Sequence, residues 1–99
     1  MQGLLVAAIL GAAGCESAPP VQEMSDARQA IAVAKEAGAA EKAAFHLKAA
    51  EGYLESAEQE LSDRHYSQAR YEAKQAKMKA LDALKASEAM LESTEDDPQ

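Results

Sequence analysis

The chain has no tryptophan, a single cysteine, three prolines and only four aromatic residues, Phe45, Tyr53, Tyr66 and Tyr71. One cysteine excludes a framework of internal disulfides. So few rings exclude a core built on large flat side chains, and alanine dominates the 47% hydrophobic fraction. A core of that kind supplies ~3–5 kcal/mol or less, so support from a partner, a membrane or self-association is expected. Proline is absent between Pro20 and Pro98 and β-branched residues are few. Strands are therefore excluded, and nothing interrupts helix formation in the interior. The chain also lacks any cluster of Lys and Arg. Its 17 acidic residues outnumber 10 basic ones, for a formal charge of -7. Binding a polyphosphate relies on clustered cations releasing counterions, so no nucleic-acid partner is expected. The same acidity opposes adsorption of the protein surface on anionic head groups, which leaves the N-terminus as the expected membrane contact.

What is present begins with the apolar run Leu4–Ala13, bounded by Met1-Gln2-Gly3 and by Gly14-Cys15-Glu16. A spanning helix needs ~20 apolar residues and the apolar part of a signal peptide about half that, so the run is signal-sized. Ala13 and Gly14 supply the narrow side chains that a signal peptidase requires beside the cleaved bond. Ala12-Ala13-Gly14-Cys15 resembles the lipobox of bacterial lipoproteins, with Ala12 where that pattern prefers leucine and no Lys or Arg in the first three residues. The resemblance implies cleavage before Cys15 and acylation of its thiol and new amino group. Because each buried CH₂ contributes ~0.8 kcal/mol, several acyl chains would anchor the protein without help from its surface. By analogy with lipoprotein sorting, Glu16 in place of aspartate points to the outer membrane, periplasmic side. The inner membrane, periplasmic face, is the alternative address, and a free cysteine buried in a short apolar helix is the alternative reading of Cys15. The expected organisation is a signal peptide at 1–14, a flexible tether at 15–24, a helical domain at 25–92 and a disordered acidic tail at 93–99.

The fold expected is all-α: a short N-terminal helix followed by a long antiparallel helical hairpin. Ser25 reads as the N-cap of the first helix, with Asp26 placed against the positive end of the dipole. Ala27, Ala30, Ile31, Ala34 and Ala37 form its apolar stripe, and Gly38 marks a hinge or stop. The second helix, 41–62, carries Ala43, Leu47, Ala50, Leu54, Ala57 and Leu61, spaced by fours and threes as at the seam of two paired helices. The polar cluster Ser62-Asp63-Arg64-His65 is the expected corner. The third helix, from 66 to 92, repeats the spacing at Tyr66, Ala69, Ala73, Ala76, Ala80, Ala83, Ser87 and Met90. Facing seams of alanine and leucine let the helices approach at or below the ~8–10 Å usual for helix pairs.

The succession of a short alanine-rich helix, Ala37-Gly38-Ala39, the Leu47 to Leu61 seam and the turn into Tyr66 and Ala69 resembles the small helical domains of the DUF4398 family. Those domains occur in bacterial lipoproteins and beside peptidoglycan-binding modules, and carry no assigned activity. The corner is similar to that of a tetratricopeptide repeat, but a single hairpin does not support a repeat array.

No glycine-rich phosphate loop, serine-centred elbow or metal-binding helix motif occurs, and no catalytic, cofactor or metal residue is expected. His46 and His65 stand 19 residues apart, without a second His or Cys at ligand spacing. Glu51, Glu55 and Glu58 cluster carboxylates along one helix. Such groups act as acid and base only where a pocket separates their pKa values, and a helical rod offers none. The three tyrosines read as packing anchors or as a partner-binding patch. The function expected is therefore a non-catalytic interaction or scaffold module of the cell envelope, held in the membrane through lipidated Cys15. Its expected partner is an envelope protein or a peptidoglycan-associated one, with a homo-oligomer as a further possibility. The alternative is a structural coiled-coil lipoprotein similar to the major murein lipoproteins, whose terminal lysine this sequence lacks.

Overall fold

A computed structural model describes residues 18–96, with side chains through 92. Among these residues all regular structure is helical: α1 (Val21–Glu36), α2 (Ala39–Lys42), α3 (Ala44–Ser62) and α4 (Tyr66–Asp96). The all-α architecture with a long antiparallel hairpin is as expected, and α1 packs against both arms of it.

Three boundaries differ from the sequence reading. Ser25 does not cap the first helix, which begins one turn earlier at Val21. Pro20, at φ -82° and ψ 62°, sits at the centre of an inverse γ-turn in which the Val21 amide donates to Pro19 O at 2.9 Å. Proline's fixed φ and missing N–H suit the start of a helix. Starting there also buries Met24, only 2% exposed, in a cluster with Ala57 and Ala73. The region read as a flexible tether thus contributes a helical turn to the core. The second difference is a break inside the expected 41–62 helix. Gly38, in the left-handed region at φ 88°, ends α1 and redirects the chain. One short turn, α2, follows before Ala43 leaves helical geometry at φ -145° and ψ 48°. Third, the long helix continues past the expected limit of 92 through Asp96. The part of the expected disordered tail at 93–96 is therefore helical, while 97–99 lies outside the described residues.

The core is a seam of small residues. Ala69, Ala73, Ala76, Ala80, Ala83 and Ser87 of α4 are all fully buried. Leu47, Ala50 and Ala57 of α3 are buried against them, and Leu54 and Leu61 are half-buried on the same stripe. From α1 come Ala27, Ala30, Ile31 and Ala34, also buried. Tyr66, at one end of the α4 stripe, is half-buried, and Met90, at the other, is half-exposed. Alanine at nearly every α4 contact lets the backbones come close, so packing density is gained by approach in place of side-chain bulk. The hydroxyl of Ser87 donates to Ala83 O at 2.9 Å, which satisfies it inside the seam without a partner from another helix.

The corner between α3 and α4 closes by a Schellman motif. The Arg64 amide donates to Leu61 O at 3.0 Å and the His65 amide to Glu60 O at 2.8 Å, with Arg64 in the left-handed conformation at φ 65°. On the surface, Arg28 pairs with Glu58 at 3.2 Å and Lys35 with Glu51 at 3.1 Å. Residue numbers rise along α1 as they fall along α3, so the two pairs mark an antiparallel register. Each is half-exposed and contributes ~0–1 kcal/mol.

Candidate functional site

Cys15 lies outside the described residues, the first of which, Ala18, is held by a contact from α4. The Arg70 guanidinium, on the first turns of α4, donates to Ala18 O at 3.0 Å, and its Nε lies 3.5 Å from a Glu23 carboxylate oxygen. Both side chains are about a quarter exposed. Pro20, two residues after Ala18, is fully buried. The geometry ties the start of α1 to the corner end of the hairpin. It was not legible in the sequence, because Arg70 and Ala18 stand 52 residues apart and only the parallel packing of α1 on α4 brings them together.

The corner gathers three potential metal ligands. Carboxylate oxygens of Glu60 and Asp63 and a ring nitrogen of His65 lie within 4.8 Å of one another, with His65 Nδ1 2.8 Å from Glu60 Oε1. Glu60 and Asp63, three residues apart, are at a helical spacing, and the left-handed residue Arg64 folds His65 back to join them. Glu60 already engages His65, and Asp63 and His65 are exposed, so the turn itself accounts for the grouping. His46, the other histidine, meets the Phe45 ring edge-on at 5.7 Å and is far from His65 in the chain.

Two of the clustered carboxylates of α3 have structural partners. Glu51 and Glu58 reach across to Lys35 and Arg28, while Glu55 is exposed. An open groove of about 350 Å³ lies over Ala40, Ala44 and Leu47, with Lys35, Lys48 and Glu51 on its rim. Its rim charges include the Lys35–Glu51 pair, and no polar groups converge on its floor as a specific ligand requires. The tyrosines do not form one patch. Tyr66 and Tyr71, five residues apart, point about 140° from each other around α4; Tyr66 is half-buried and Tyr71 is 55% exposed. Among the described residues, no helix is long and apolar enough to cross a membrane.

The chain matches no known protein-family model, no curated protein and no solved structure.

Proposed function

We propose that the protein is a lipoprotein of the bacterial envelope, lipidated on Cys15 after cleavage behind Gly14, which presents a non-catalytic helical rod as an interaction or scaffold module on the periplasmic side of the outer membrane. The observation that carries this reading is the signal-sized apolar run ending in Ala12-Ala13-Gly14-Cys15, together with a lone thiol that has no disulfide partner in the chain. The DUF4398-like pattern of the helices agrees with it. The Arg70 contact to Ala18 bears on its geometry: two residues lie between Cys15 and the held backbone, a span of at most about 11 Å. A lipid on Cys15 would then keep the corner of the hairpin close to the bilayer and direct the far end of α4 away from that anchor. The chain beyond Cys15 is net acidic, which opposes adsorption of its surface on anionic head groups. Replacement Cys15→Ser is expected to move the processed protein from the membrane to the soluble periplasmic fraction. Retention of the processed variant in the membrane would overturn the reading.

A further inference from the structure

The outer face of α4, away from the alanine seam, is not uniformly polar. Tyr71, Met78 and Leu81 lie on it, 55%, 55% and 40% exposed. Together with Ser67, Lys74 and Lys85, all exposed, they recur at intervals of four and three residues, the period of a second pairing stripe. The core clusters include none of these six, so packing within the chain does not explain why three of them are large and apolar.

We propose that this face pairs antiparallel with the same face of a second copy of the chain. Charge decides both the partner and the direction. Residues 66–85 hold five basic side chains against two acidic ones, whereas 86–96 hold four acidic and no basic residues. Two parallel copies would set like charge against like along the whole helix. Two antiparallel copies place the Lys74 region of each opposite Glu88 and Glu92 of the other, with the two-fold axis near residues 81–85, where Leu81 sits. An anionic membrane would attract only the basic half and repel the acidic half, whereas a second antiparallel copy complements both, which makes a lipid surface the poorer occupant. At 1.5 Å per residue, the 31 residues of α4 extend about 46 Å. A stripe about 10 Å wide then covers on the order of 500 Å² per partner, near the lower bound for specific association. The pair is accordingly weak, dependent on concentration and loosened by salt. This pairing does not depend on lipidation of Cys15; if both hold in one leaflet, the paired rods lie along the bilayer with their anchors at opposite ends.

The test is sedimentation velocity of the full chain carrying Cys15→Ser, over a concentration series at low and high salt. Met78→Asp and Leu81→Asp should each raise the dimer dissociation constant at least tenfold. Both positions are exposed, so helicity should stay unchanged. Lys74→Glu or Glu88→Lys alone should weaken the dimer, and the two together should restore it. Under oxidation, Asp82→Cys in the Cys15→Ser background should form a disulfide dimer and Lys74→Cys should not. The inference is overturned if the chain stays monomeric, if association is indifferent to Met78→Asp and Leu81→Asp, or if Lys74→Cys crosslinks in preference to Asp82→Cys. Binding to phosphatidylglycerol vesicles that Met78→Asp abolishes, with no self-association to lose, would assign the face to a membrane and equally overturn it.

Discussion

Replacing Ala76 by leucine tests the packing most severely. Ala76 is fully buried, as are Ala73 and Ala80 on either side of it in the seam. Leucine adds three carbon atoms where the backbones owe their close approach to the absence of such atoms. If the site could accept them, burial would stabilise the protein by up to ~1.5–3 kcal/mol. The α3 side of the seam already carries Leu47, Leu54 and Leu61, so the added bulk has to push helices apart, at a net cost, burial included, of ~1–3 kcal/mol. Helix propensity is nearly the same for the two residues and does not decide the outcome. The strain wins, and for a domain of this size each kcal/mol lowers Tm by about 4–8 °C. Thermal circular dichroism should therefore show a fall of roughly 5–20 °C for Ala76→Leu, while Lys77→Leu, on an exposed position, shifts Tm by only a few degrees. An Ala76→Leu protein as stable as the parent, or more so, would mean that the seam is not closely packed and that the helices pair differently.

The two left-handed residues make opposite predictions. Gly38→Ala should destabilise by about 1 kcal/mol, because φ is 88° and a β-carbon would meet the movable Lys42 Nζ at 3.2 Å. Arg64→Gly should stabilise by about 0.5–1 kcal/mol, since it relieves the same conformation at φ 65° while glycine's greater unfolded-state entropy offsets part of the gain. Urea unfolding of each variant checks the sign, and a stabilised Gly38→Ala or a destabilised Arg64→Gly contradicts the left-handed geometry at that turn.

The seam was readable because small residues at intervals of three and four are sparse enough on α4 to define a single face. From Ala69 through Ser87, every position assigned to it is buried. The corner was readable for a different reason: the apolar period stops at Leu61 and resumes at Tyr66. What escaped depends on contacts made between distant parts of the chain. Val21–Met24 is compatible with helix, but only the pocket formed with Ala57 and Ala73 makes Met24 worth burying. The break at Ala43 falls within Ala39-Ala40-Glu41-Lys42-Ala43-Ala44, whose propensity is helical throughout, so tertiary redirection after Gly38 overrides the local preference. The Arg70 contact with Ala18 is likewise a product of topology, whereas the gathering of Glu60, Asp63 and His65 follows from the local left-handed turn at Arg64. Tyr71, Met78 and Leu81 were visible as residues, but their shared outward face became significant only once the inward face of α4 was known.

The central claim, that Cys15 is the lipidated first residue of the mature protein, is tested most directly by mass spectrometry of the N-terminal peptide from protein extracted with detergent from bacterial membranes. The account predicts a peptide beginning at Cys15 and carrying a thioether-linked diacylglyceryl group, with a further acyl chain on its amino group. A peptide that retains residues 1–14, or one that begins elsewhere with an unmodified Cys15 thiol, would contradict it.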